Sequence, residues 1–417
     1  MINRRILLAD ADAFFVTVAR MIDPEGAGRA PLLIVGGTRE SRGVVCSASY
    51  EARKYGVRSA MPIARALRLC PQATCVPVPR RACGEKSRQI RAVLDHFAPV
   101  VEGASVDEWY LDLGGTEDLY GHESLAVTAA RMRASVLETT GLSVSIGGGT
   151  SKLVAKLAVE RAKPKPGSGA TGVHIVDAGD EQRFLETFDL ADIPMIGPRF
   201  QERLAKLGMR RVTDVLQYDA VTLAQWLGAR EAEWLFDRVR GIDSSEVESR
   251  GEAKSISRDE TFPADIDDDD ALARELLALV TRAAADLRGD ALTARTITVR
   301  IRDHDFKTRQ ASRTLDAPVI SDRVILEMSR RLLSKLRQAR RVPARLLGVG
   351  LSSLTVDATA DQLTLFERRD SDVAETDRDR IIARTIDRVR AKFGEKGIFP
   401  AGLAEVVHPT ESGGLRS

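Results

Sequence analysis

The sequence predicts a multidomain protein in which an α/β region is joined through a helical segment to an α+β region. Three observations carry this expectation. The 417 residues suffice for about three domains of ordinary size. Short apolar runs alternate with helix-like stretches through the first part of the chain, and from Ala271 to Leu354 the order becomes helix, strand, helix, strand. Between these regions Lys163 to Gly172 is crowded with Pro and Gly, and Ser244 to Ser257 is polar and aperiodic, so both mark boundaries.

Ile6 to Ala9 reads as a short buried strand running into Asp10-Ala11-Asp12-Ala13-Phe14-Phe15, ahead of a helix to about Met21. Carboxylates therefore sit at a strand end. Pro31 to Val35 reads as a second strand, and Val44 to Ser47 leads into a helix over Tyr50 to Tyr55 that Gly56 ends. Val100 to Glu102 and Val106 to Leu113 read as two strands joined tightly, with Asp107 and Glu108 near the bend. Helices follow at Ser124 to Thr139 and Lys152 to Ala162, separated by a strand at Leu142 to Ile146. Phe184 to Gly241 is mostly helical. Beyond the second boundary come a helix at Ala271 to Leu287, a strand at Thr296 to Ile301, a helix at Val324 to Gln338 and a strand at Leu346 to Leu354. From Val356 a charged tail lacks a core of its own until the helical Arg378 to Phe393.

With 43% hydrophobic and 29% charged residues the composition is that of a soluble globular protein, although 5% aromatic is low. The net charge of +2 requires any polyanionic partner to be met by a local patch. Such a patch exists: from Arg295 to Arg345 fourteen Lys or Arg stand against five Asp or Glu, a local net of +9. Alternation puts Arg300 and Arg302 on one strand face, and Lys307, Arg309 and Arg313 follow. Asp267 to Asp270 reads as an acidic first helical turn and not as a metal site. The four cysteines form no CxxC pair and the five histidines lie away from them, so neither a zinc site nor a disulfide framework is expected. No apolar run is long enough for a signal peptide or a membrane span, and a cytoplasmic protein without membrane contact is expected.

Singly, Asp10, Asp107 and Glu108 would be ordinary turn carboxylates. Adjacent side chains in a regular strand face opposite ways, so Asp107 and Glu108 reach one point only near a hairpin apex, where the pattern puts them. Two such clusters on one sheet suit hard cations, and two ions about 4 Å apart stabilise both the attacking and leaving oxygens of phosphoryl transfer. Tyr50 and Arg53 lie one helical turn apart and project toward one spot.

The strings LLADADAFF, VVCSASYEARKYGVRSAMP, SVDEWYLDL and SKLVAKLAVERAKP, in this order, resemble those of Y-family DNA polymerases of the bacterial DNA polymerase IV type, and the likeness runs from residue 6 to about 355. It implies a right-hand polymerase with palm (1–12 and 80–170), fingers (13–79), a helical thumb (171–241), a linker (242–255), a little-finger domain (256–355) and a tail (356–417). It also implies error-prone, template-directed translesion synthesis. Carried over by position, Asp10, Asp107, Glu108 and the backbone carbonyl of Ala11 would hold two Mg2+ ions, with Mn2+ as the alternative ion. Phe14, Phe15, Ser47, Tyr50, Arg53 and Lys163 would receive the deoxynucleoside triphosphate, Phe15 as steric gate against a ribose 2′ hydroxyl. Gly197, in Ile193-Pro-Met-Ile-Gly-Pro198, would belong to a helix-hairpin-helix gripping duplex phosphates, and Arg300, Arg302, Lys307, Arg309 and Arg313 would hold primer-template DNA. Gln362, Leu363, Leu365 and Phe366 resemble a sliding-clamp-binding peptide. A monomer is expected.

Three positions depart from the family pattern. Ser47 replaces Thr and keeps the hydroxyl. Trp109 replaces a small residue, so that its bulk either fills core or crowds the template side. Met195 replaces the first hairpin glycine, which puts the tight turn in question. The rival readings are a non-catalytic, clamp-tethered DNA-binding scaffold of the same fold, marked by loss of a metal carboxylate, and a nucleotide cyclase with a similar palm. The three carboxylates stand against the first. The thumb, the basic last domain and the clamp-like tail stand against the second.

Overall fold

In the computed structural model, which describes residues 4–39, 42–164, 169–249, 251, 253–356, 374–394 and 397–403, the chain forms two units, Met1–Gly251 and Glu252–Ser417. The first contains β1 (Ile6–Ala11), α1 (Phe14–Ile22), β2 (Leu33–Val35), β3 (Ser47–Ala48), α2 (Tyr50–Lys54), α3 (Ile63–Leu69), β4 (Thr74–Val76), α4 (Arg80–Leu94), β5 (Val100–Gly103), β6 (Glu108–Asp112), α5 (Leu125–Thr140), β7 (Val144–Gly149), α6 (Lys152–Ala162) and β8 (Val173–Ile175). Short helices α7 (Glu181–Leu185), α8 (Pro198–Lys206), α9 (Val212–Leu216), α10 (Ala220–Leu227) and α11 (Ala229–Arg238) complete it.

β1 is apolar without alternation because both its faces are covered. Leu7, Ala9 and Ala11 pack with Ile90, Leu94, Met132 and Val136 of α4 and α5, whereas Ile6 and Leu8 pack with Ala155 and Val159 of α6. The strand is central in a sheet of order β5-β6-β1-β7-β8, antiparallel except where β7 meets β8. A parallel α/β sheet does not form here, since the turn between β5 and β6 is too short for a crossover. Trp109 lies opposite Ala9 and Gly103, two small residues that leave it room, and is only 2% exposed. Its bulk fills core. At Gly147 the sheet touches α6 backbone to backbone: an added Cβ would come within 2.1 Å of Val159 N and 2.4 Å of Ala155 O.

A second sheet, β3-β2-β4, has its own core of Ile34, Ala48, Ala52 and Ile63. The helices α7 to α11 close around Leu185, Leu204, Val212, Leu223 and Leu235. The tight turn before α8 survives the loss of glycine: Met195 takes φ 74°, a left-handed conformation whose local Cβ clash costs about 1 kcal/mol, and its side chain is 82% exposed, so no neighbour adds to that strain. Gly197 caps α8, with Pro198 at its first position.

The second unit is a four-stranded antiparallel sheet of order β11-β10-β12-β9, comprising β9 (Ser255–Ile266), β10 (Leu292–Asp303), β11 (Thr308–Val319) and β12 (Ala344–Val356), and packed against α12 (Asp269–Gly289) and α13 (Asp322–Ala339). β9 and β11 were not expected as strands. They are the sheet's edges, and each buries little, Phe262 in one and Leu315 and Val319 in the other, so no apolar period marks them. Asp268 accepts from Ala271 N at 2.6 Å and Asp269 and Asp270 occupy the first turn of α12, as the acidic run implies. The tail helix α14 (Asp377–Phe393) is docked on this unit: Asp387 meets the buried Arg288, Asp379 meets Arg323, and Glu375 accepts from Ile320 N and Ser321 N ahead of α13. Among the described residues no helix is long and apolar enough to cross a membrane.

Candidate active site

The register of β1 and β6 sets Asp10 directly opposite Glu108, and Ala11 N donates to Asp107 O at 2.9 Å. The end of β1 and the β5–β6 hairpin thereby meet at one cleft of about 180 Å3. Asp10, Ala11, Asp107, Glu108, Phe14, Phe15, Ser47, Tyr50, Arg53 and Lys163 all line it, so every residue expected at the metal and nucleotide sites is brought together. Ser49 caps α2 by accepting from Ala52 N at 3.3 Å, which turns Tyr50 and Arg53 inward from one turn of helix. Arg53 lies 5.4 Å from the centre of the Tyr50 ring and its Nε donates to Ala48 O at 2.9 Å. Phe14 is buried in the core beneath the cleft. Phe15 is half-buried and meets the Phe14 ring edge to face, with centroids 5.6 Å apart.

Each carboxylate has its own partner. Lys163, at the end of α6, donates to Asp10 at 2.8 Å and to Glu160 at 2.6 Å, Lys156 donates to Glu108 at 2.5 Å, and Ser105 Oγ donates to Asp107 at 2.6 Å. Burial pushes the Asp10 carboxyl up to about 7, with Lys163 drawing it down and Glu108 pushing it up. Burial pulls the Lys163 ammonium down, but Asp10 and Glu160 outweigh it and hold the group above the usual lysine range.

Among the described residues no three acidic, thiol or imidazole side chains are close enough to enclose a cation, since Asp107 is turned onto Ser105 and Glu108 onto Lys156. The donors nevertheless fit a hard divalent ion: three carboxylates and a backbone carbonyl, all oxygen, on one cleft, with two ammonium groups already where cations are favoured. Asp12, Ser105 and Lys156 escaped the sequence reading. Asp12 also lines the cleft and accepts from Ser143 at 2.8 Å and Ser145 at 2.7 Å. The available signal for Lys156 was its spacing of seven residues from Lys163, two turns along one helix face.

In the second unit Thr296, Thr298, Arg300 and Arg302 share the open face of β10, while Ile297, Val299 and Ile301 are buried. Lys307 and Arg313 are exposed. Arg309 is not: it donates to Asp303 at 2.8 and 3.1 Å and to the Leu336 carbonyl at 2.5 Å, and together with Arg340 it neutralises the fully buried Asp303. It holds the hairpin and leaves the open face to the others. Gln362, Leu363, Leu365 and Phe366 lie outside the described residues.

Residues 9–160 match the impB/mucB/samB family, and residues 253–365 match the impB/mucB/samB family C-terminal domain. DNA polymerase IV of Dehalococcoides mccartyi (strain CBDB1) is 36% identical over 94% of this chain and 95% of that protein, and DNA polymerase IV of Caulobacter vibrioides is 34% identical over 93% and 91%. Among solved structures, a Y-family DNA polymerase chimera of Dbh and Dpo4 is 26% identical with a TM-score of 0.72, covering 84% of this chain and 99% of its own. An insertion ternary complex of Dbh DNA polymerase is 25% identical with a TM-score of 0.58 over 84% and 99%. Fold, cleft and likeness over both units agree: the chain belongs to the impB/mucB/samB family, the Y-family DNA polymerases of the DNA polymerase IV type, which are DNA-directed DNA polymerases with a right-hand fold.

Proposed function

We propose that this chain carries out error-prone translesion DNA synthesis by two-metal-ion nucleotidyl transfer to a primer 3′ end, in the cleft where Asp10, Asp107 and Glu108 meet Tyr50, Arg53 and Lys163. That single juxtaposition carries the reading. Two Mg2+ ions held by the three carboxylates and the Ala11 carbonyl would supply charge for the attacking and leaving oxygens. Arg53, Lys163 and the Tyr50 hydroxyl bind and orient the triphosphate, and Ser47 adds a hydroxyl donor. Phe15 stands beside the sugar and excludes a 2′ hydroxyl. In this reading residues 1–12 and 80–170 are palm, 13–79 fingers, 171–241 thumb, 242–255 linker, 256–355 little finger and 356–417 tail. Gly197 at the start of α8 and Arg300, Arg302, Lys307 and Arg313 hold primer-template DNA, and Gln362 to Phe366 dock on a sliding clamp. The enzyme works as a cytoplasmic monomer.

Primer extension with Mg2+ and the four deoxynucleotides tests the reading. Asp107→Ala is expected to lose at least a hundredfold in extension rate, about 2.7 kcal/mol or more, while primer-template binding stays intact. Extension within tenfold of wild type would overturn it.

A further inference from the structure

One helix carries three lysines to carboxylates on three adjacent strands. Lys152 bonds Glu102 of β5 at 2.7 Å, Lys156 bonds Glu108 of β6 at 2.5 Å, and Lys163 bonds Asp10 of β1 at 2.8 Å. Lys152 has a further partner in the Glu246 carbonyl and stacks 4.8 Å from the Tyr110 ring, which makes it part of the packing at the sheet's edge. Lys163 is accounted for by the triphosphate. Among the described residues Lys156 hydrogen-bonds to Glu108, with only a weaker electrostatic pull on Asp10, and the two bonded side chains are only 28% and 25% exposed, so their attraction is poorly screened.

We propose that Lys156 is the positioning residue of Glu108: a built-in counter-ion that aims the carboxylate in the metal-free enzyme, gives way when a divalent ion binds, and so sets how tightly the site holds its ions. This rests on Asp10, Asp107 and Glu108 being the ion ligands. An ammonium and a divalent cation on one carboxylate repel each other, so ion binding must displace the lysine and overcome its attraction. The lysine thereby weakens the affinity of the empty cleft for free ions.

Mn2+ binding to the full chain without DNA or nucleotide, followed by the paramagnetic resonance signal of the free ion, tests the proposal. Lys156→Gln and Lys156→Met are expected to bind Mn2+ about fivefold tighter than wild type, and Lys156→Arg within about twofold of it, because loss of a unit charge and not of a side chain decides the outcome. The Mg2+ concentration for half-maximal extension should fall in parallel in the two neutral variants. Asp107→Ala separates the two ways of failing. If it leaves Mn2+ binding unchanged, the ion-ligand reading falls and the proposal with it. If it weakens binding while both neutral variants bind like wild type or less tightly, the reading stands and the counter-ion role is overturned. A lysine that served only the fold would lower the unfolding midpoint of both neutral variants and leave their ion affinity where it was.

Discussion

Phe15 and Asp10 lie five residues apart and make opposite demands on the same bend. As the proposed steric gate Phe15 would present a ring to the cleft, and since it is only half-buried and leans on Phe14, its truncation would remove that wall at modest cost. Phe15→Ala is expected to remain folded, destabilised by about 2 kcal/mol, and to raise ribonucleotide incorporation relative to deoxynucleotide. An unchanged sugar preference in the folded variant would reduce Phe15 to a core residue. Asp10 must be ionised to hold an ion, yet burial pushes it up to about 7 from its ordinary 3.8. With the folded value above the unfolded one, the contribution of Asp10 to the stability of the metal-free enzyme is fully present below about pH 4 and is lost as pH rises through 7. Protons compete with the ion, so apparent Mg2+ affinity should weaken as pH falls below 7. Thermal unfolding of wild type and Asp10→Asn from pH 5 to 8, with and without Mg2+, checks both signs: Asn should flatten the profile. That these carboxylates meet at one cleft was legible in the sequence because the pattern put Asp10 at a strand end and Asp107 and Glu108 at a hairpin bend. What occupied them was not, since Ser105 and Lys156 are defined by where hairpin and helix bring them and not by a motif.

At the level of single elements, legibility follows burial. β10 announced itself because Ile297, Val299 and Ile301 alternate against the helices, whereas β9 and β11, edge strands with one or two buried residues each, carry no period to read. The same edge position explains why Arg309 looked like its neighbours. A basic strand residue gives no sign in sequence that a buried Asp303 lies beneath it. The two kinds of arginine separate experimentally. Arg300→Ala and Arg313→Ala together are expected to weaken primer-template binding and to reduce the slope of log affinity against log salt by about 1–2, as lost phosphate contacts do. Arg309→Ala should instead lower stability by roughly 3 kcal/mol by leaving Asp303 short of a partner, with the salt slope unchanged. Fluorescence anisotropy over a salt series and urea unfolding read the two effects.

For the whole molecule, the tail was the least legible part. Its charged residues suggested an appendage, but Asp379 and Asp387 are the partners of Arg323 and Arg288, residues more than fifty positions earlier, and only the folded unit shows the pairing. Residues 362–366 are thus followed in the chain by a helix that packs on the second unit. Leu365→Ala with Phe366→Ala is expected to abolish clamp-stimulated synthesis on primed circular DNA while sparing synthesis without a clamp; equal stimulation of variant and wild type would refute docking. In the first unit the chemistry is gauged from the interior. Because α6 rests on the bare backbone of Gly147, the height of that helix above the sheet is fixed with no side chain between them, and the reach of Lys152, Lys156 and Lys163 is cut to that height. A single methyl group added at this solvent-free position would lift all three ammonium groups at once, so that an error of volume in the core arrives at the cleft as an error of charge.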